Sequence, residues 1–74
     1  MKMSIPREQL ATAATACIAR GGTAQVYFGG LVLAMQHQAR VTNGQLEGRG
    51  PDNESYIAIA VEAIDAVVLQ EPLD

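Results

Sequence analysis

Apolar residues open this chain at helical spacing. Leu10, Ala13, Ala14, Cys17 and Ile18 fall at i, i+3, i+4, i+7 and i+8, a one-sided stripe. Ser4 is a suitable N-cap, Pro6 is tolerated in a first turn, and Glu8 sits near the positive end of the helix dipole. Arg20 suits the other end, and Gly21-Gly22 can supply the left-handed position beyond it. The pattern predicts a first helix over residues 5–20.

The next stretch, Gly21 to Ala39, carries no Asp, Glu, Lys or Arg. With Thr23 as its cap, it reads as a second helix over residues 23–41. Ala24, Phe28, Leu31, Val32, Met35 and Ala39 then share a core face. Val26, Gly30, Leu33 and His37 form a second line at i, i+4, i+7 and i+11, with Gly29 beside it. Glycine inside a helix costs about 1 kcal/mol relative to alanine. Two adjacent glycines therefore call for close packing, or else mark a break after a strand TAQVYF, whose Val26, Tyr27 and Phe28 favour strands.

Residues 40–50 read as a connection. Asn43-Gly44 is a hairpin turn signal. Two readings stand: a helix C-cap at Asn43-Gly44 followed by a loop, which is the plainer one, or a two-residue turn that pairs Thr42 with Gln45, Val41 with Leu46 and Arg40 with Glu47 in a short β-hairpin over residues 40–47. A third helix over residues 53–70 follows, capped by Asp52 or Asn53 and stopped by Pro72. Ile57, Ala60, Val61, Ile64, Val67 and Val68 make its core face, and Glu54, Glu62 and Asp65 its wet face. Tyr56, Ile59 and Ala63 widen the apolar arc beyond the stripe of about 100° that a surface helix needs. The alternation YIAIAVEAI also fits a strand, but alanine content and length favour a helix.

The expected fold is thus all-α: one three-helix domain over residues 1–74, a helical hairpin with a third helix across it. Composition adds a constraint. The chain has 74 residues, 49% hydrophobic but only 4% aromatic, so its core is thin. Domains of this size sit near the edge of independent stability, and association is a common remedy. A self-contacting surface is therefore expected at Val26, Gly29, Gly30, Leu33 and His37, extended by Tyr56 and Ile59.

Charge is uneven. Residues 1–46 hold Lys2, Arg7, Arg20 and Arg40 against Glu8, giving +3. Residues 47–74 hold Arg49 against seven acids, giving −6, for the net −3 of the chain. An acidic chain of pI about 4.9 lacks the basic patch of a nucleic-acid-binding domain. The polar Gln25, Gln36, His37 and Gln38 argue against a membrane span.

Candidate chemistry is sparse. One histidine, His37, and one cysteine, Cys17, do not complete a metal site, and Cys17 on an apolar stripe reads as a small buried hydrophobe. No catalytic residue, cofactor or metal is expected. Arg49, in Gly48-Arg49-Gly50-Pro51 before a helix start, is the best small-anion candidate. The lone cysteine fits a cytoplasmic setting, as does Met1-Lys2-Met3 followed by Ser4-Ile5-Pro6-Arg7-Glu8 in place of the apolar run of a secretory signal.

The function these features favour is a non-catalytic protein–protein interaction module that forms a homo-oligomer, dimer or larger. One alternative is a small-molecule or nucleotide binder with a pocket between subunits near His37, Arg49 and Tyr56. Another is an acidic inhibitor that occupies the basic surface of a nucleic-acid-binding protein with Glu54, Glu62 and Asp65.

Overall fold

The helical spacing after Pro6 is realised once. A computed structural model of the chain describes residues 6–72, and its single helix, α1, spans Arg7–Ala19. The Pro6 carbonyl accepts from the Gln9 and Leu10 amides at 2.9 and 3.3 Å, and Glu8 lies in the first turn. The Ser4 cap and the first residue of the expected 5–20 span lie outside the described residues. At the far end Gly21 adopts φ +92°. The amides of Gly21 and Gly22 donate to the carbonyls of Ile18 and Cys17 at 2.9 Å each. This is the Schellman arrangement that two glycines after a helix favour.

The expected second and third helices are not present, and the all-α, helical-bundle reading is overturned. The described chain after α1 is mostly strand. Residues 23–41 form β1 (Thr23–Phe28), β2 (Leu31–Met35) and most of β3 (His37–Thr42). After β4 (Gln45–Arg49), residues 53–70 give β5 (Tyr56–Ala60), a 3-10 turn (Val61–Ala63) and β6 (Ile64–Gln70). Gly29 and Gly30 supply the physical reason in the first segment. Their φ values of +54° and +81° make a two-residue turn with both positions left-handed, which suits a β-hairpin and no helix interior. Val26, Tyr27 and Phe28 then follow their strand preference. In the second segment the alternation wins: Ile57 and Ile59 are buried while Tyr56, Ala58 and Ala60 are exposed.

The strands build two three-stranded antiparallel sheets, in the orders β2-β1-β6 and β3-β4-β5. The sheets share two runs of chain. Gln36 alone separates β2 from β3, and its amide donates to the Arg49 carbonyl at 2.9 Å, so residues 31–42 act as one bent strand. The 3-10 turn carries β5 into β6 in the same way, with the Val61 amide on the Gly44 carbonyl at 2.9 Å. Strands that pass from one sheet to the next at a bend make the corners of a small, partly closed barrel. The Asn43-Gly44 hairpin has the register expected for a two-residue turn: Arg40 opposite Glu47, Val41 opposite Leu46, Thr42 opposite Gln45.

The core sits between the bent sheets and α1. The helix contributes Ala11, Ala14, Cys17 and Ile18. The β2-β1-β6 sheet contributes Ala24, Val26, Met35 and Ile64, and the β3-β4-β5 sheet contributes Leu46, Ile57 and Ile59. α1 packs against β3 and β6, with β1 alongside. Contacts at both ends hold it along β6: Arg7 Nε donates to the Ile64 carbonyl at 2.9 Å, and Arg20, just past the helix, forms a two-pronged pair with Glu71, just past the strand, at 3.0 and 2.7 Å. That pair holds the Glu71 carboxyl below its ordinary pKa, chiefly through the hydrogen bond from Arg20. Among the described residues no helix is long and apolar enough to cross a membrane.

Gly22 marks the tightest point. A Cβ there would lie 2.5 Å from the Gln70 carbonyl oxygen, 2.6 Å from Cys17 Sγ and 3.1 Å from the Cys17 carbonyl oxygen. Nothing lies within 4 Å of a Cβ at Gly30, where only the positive φ matters. Gly22→Ala is therefore expected to cost about 1–3 kcal/mol as a forced overpacking, and Gly30→Ala about 1 kcal/mol from backbone strain alone. Urea denaturation of the two variants checks the order. Equal losses would mean that the α1–β6 contact at Gly22 is looser than described.

Candidate functional site

The outer face of the β3-β4-β5 sheet carries the polar side chains that face one another. Strand alternation buries Leu46 and Gly48 of β4 and turns Glu47 and Arg49 outward. Register then assembles two rows across the sheet. His37, Arg49 and Tyr56 form one, and Arg40, Glu47 and Ala58 form the other. Gln38, Ala39, Arg40, Glu47, Gly48, Arg49 and Tyr56 line a recess of about 400 Å³ on this face.

A bulge shapes one wall. The β3–β4 register shifts between His37 and Arg40, and Gln38 there has φ +56°. That left-handed conformation is uncommon for a residue other than glycine. It delivers Gln38 Oε1 to Arg49 Nε, which donates at 3.1 Å. A second Arg49 nitrogen, Nη1, donates to the Glu54 carbonyl at 3.5 Å. Arg40 Nε donates to Glu47 Oε1 at 3.3 Å, and the Glu47 side chain is only 12% exposed. Two guanidiniums thus face one carboxylate. The Tyr56 ring is 61% exposed, and its hydroxyl is held above its ordinary pKa, by lost hydration first and then by the Glu47 carboxylate.

The loop before Tyr56 is a tight turn and not the start of a helix. Asp52 Oδ1 accepts from the Glu54 and Ser55 amides at 2.9 and 3.1 Å, and Ser55 Oγ donates to Oδ2 at 3.1 Å. The Gly50 amide closes the loop on the Ser55 carbonyl at 3.0 Å. The helix-end contribution to anion binding expected at Arg49 is therefore absent. Arg49 is a strand residue, and what it offers is its guanidinium.

The expected self-contacting residues scatter. Val26 is fully buried and Ile59 nearly so, both in this chain's own core. Gly29 and Gly30 form the exposed β1–β2 turn, where the Gly29 amide donates to Asp65 Oδ2 at 2.9 Å. Leu33 is exposed on β2. His37 and Tyr56 lie on either side of Arg49 within one chain, whereas the pocket alternative placed these three residues between subunits. Gln38, Arg40 and Glu47 were not among the expected site residues. The Asn43-Gly44 hairpin register carries the signal for the Arg40–Glu47 pair, but nothing in the sequence marks Gln38.

The Cys17 thiol is buried, with Sγ 3.5 Å from the Gln70 carbonyl oxygen and 3.7 Å from that of Thr23. Burial in apolar surroundings makes a thiol slow to react. Among the described residues no three His, Cys, Asp or Glu side chains gather as a metal cluster would. No family model, curated protein or solved structure matches this chain.

The two amides on Asp52 favour its charged form and hold its carboxyl below the ordinary value, the Glu54 amide most. A carboxyl lowered on folding stabilises the fold above its unfolded pKa of about 3.9 and loses that contribution as pH falls through the folded value. The Glu54 and Ser55 amide resonances are therefore expected to titrate with a midpoint below that of a free aspartate. NMR across acid pH checks this, and a midpoint at or above the free value would mean that the turn is not formed in solution.

Proposed function

We propose that this protein is a non-catalytic interaction module that self-associates through its sheet edges, forming a dimer or larger. The observation that carries the reading is the run Tyr56 to Gln70. It supplies one of the two outer strands of each sheet, and among the described residues β5 pairs with β4 alone and β6 with β1 alone. It contains no Lys, Arg or Pro. Those residues are the usual guards on a strand edge, whose unpaired backbone groups otherwise pair with another chain. Asp65, one of its two acids, is turned onto the Gly29 amide.

The apolar surface beside this edge supports the same reading. Register places Tyr27 opposite Val32, and Gln25 opposite Val68, on the outer face of the β2-β1-β6 sheet. Tyr27, Val32 and Val68 are all exposed, and Leu31 at the hairpin end is 63% exposed. Neighbouring exposed apolar side chains mark contact surfaces more often than isolated ones do. Association through helical faces is withdrawn, since those helices are absent. The acidic-inhibitor reading also loses its basis, because no helix aligns Glu54, Glu62 and Asp65. A cytoplasmic setting remains part of the proposal, resting on a single buried thiol.

Sedimentation at micromolar concentration is expected to give a mass of a dimer or more. Ala58→Lys and Val68→Lys place a charge on exposed positions of β5 and β6. Each is expected to weaken association about tenfold or more by burying an unpaired charge, with circular dichroism unchanged. A monomer mass for the parent at every concentration would refute the proposal. Parent-like assembly of both variants would place the contact elsewhere.

A further inference from the structure

We propose that the recess over β3, β4 and β5 binds a planar ring carrying a phosphate, a ligand of the mononucleotide class. The inference does not rest on self-association. Arg49 is its anchor. Two of its nitrogens are already held, Nε by Gln38 at 3.1 Å and Nη1 by the Glu54 carbonyl at 3.5 Å. A guanidinium fixed in this way presents its remaining edge with little further ordering, and a phosphate oxygen suits that edge. Nη2 makes no hydrogen bond among the described residues. Arg40 supplies a second guanidinium on the same face, tied to Glu47 through Nε alone. Glu47 is the carboxylate that opposes an anion here, and Arg40 matches its charge.

Gln38 makes the arrangement specific. It holds a left-handed backbone at the bulge, where glycine would sit without strain, and its amide oxygen is what orients Arg49. Strain kept at one polar side chain that aims another is a feature of ligand sites. Tyr56 provides the other half. Its ring is mostly exposed beside Arg49 in the register, a flat surface on which a base can stack. The recess of about 400 Å³ lies within the range of about 300–1,000 Å³ common for small-ligand sites. A free mononucleotide fits better than a nucleic-acid strand, because the chain's net charge of −3 opposes a long polyanion.

The test is an NMR titration of the whole protein with adenosine 5′-monophosphate, uridine 5′-monophosphate, adenosine, inorganic phosphate and a short single-stranded oligonucleotide. Saturable shifts at Gln38, Arg49 and Tyr56 are expected with at least one nucleotide. Adenosine and phosphate are each expected to bind about tenfold more weakly, since each meets half of the site. Arg49→Gln is expected to weaken the nucleotide about tenfold or more. Gln38→Gly is the sharper variant: it removes the acceptor that orients Arg49 yet relieves the left-handed strain. It is expected to weaken binding about threefold while the melting temperature holds or rises. Absence of saturable shifts with either nucleotide would overturn the proposal, as would parent-like affinity in Arg49→Gln. Phosphate binding as tightly as the nucleotides would remove the ring. A single-stranded oligonucleotide binding far more tightly than any nucleotide would replace the free ligand with a strand.

Discussion

The fold depends on the small-residue face of α1. Two bent sheets leave an apolar interior that one helix of 13 residues must close, and it does so with Ala11, Ala14 and Cys17, all fully buried. Small side chains let the helix approach β3 and β6 together, where larger ones would hold the sheets apart. The bulk of the core then comes from the strands, and Met35, Leu46, Ile64 and Val26 are its largest fully buried side chains. None is aromatic. Gly22 belongs to the same constraint, because the chain leaves the helix directly against the Gln70 carbonyl.

Closing the interior this way dictates what faces outward. Strand alternation sends every second residue of β4 away from α1, so burying Leu46 and Gly48 displays Glu47 and Arg49. The bend near Gln36 matters as much. It carries residues 31–42 from β1 to β4 and lays His37 beside Arg49, and the bulge just after it swings Gln38 onto the same guanidinium. The recess is therefore a product of barrel closure, and no loop was added to make it.

The sequence was legible where local chemistry had one solution. The α1 stripe, the glycine pair that ends it and the Asn43-Gly44 register are each set by neighbours in the chain, and each is present. The two apolar segments were not. In residues 23–41 the spacing of Ala24, Phe28, Leu31 and Met35 fits one helical face as well as it fits strands, and Gly29-Gly30 decide between them only once their positive φ is known. In residues 53–70 the alanines and Glu62 suggested a helix, while the alternation YIAIA described the strand that forms. Tertiary pairing decided both, since β1 and β6 are far apart in the chain and stabilise each other. The His37–Arg49–Tyr56 row was not legible as a within-chain feature, because the register of β3, β4 and β5 creates it and the sequence grouped the three only between subunits. Nor was Gln38, because a left-handed glutamine at a bulge has no local signature.

A thin core also bears on the surface. A small helical domain of this sequence would leave too much apolar surface uncovered, and that excess is what points to a second chain. The barrel absorbs part of that excess, taking Val26 and Ile59 inside. It leaves Tyr27, Leu31, Val32 and Val68 outside, near a run of strand with one neighbour in each sheet. A helical fold would satisfy its backbone within each element and leave only side chains to be covered. A sheet edge leaves backbone donors and acceptors as well, and these are directional. The change of fold class thus changes the nature of the contact that the proposed association would make. In the proposed assembly the strand edge would set a partner's register, and the exposed Tyr27, Val32 and Val68 would add apolar contact beside it.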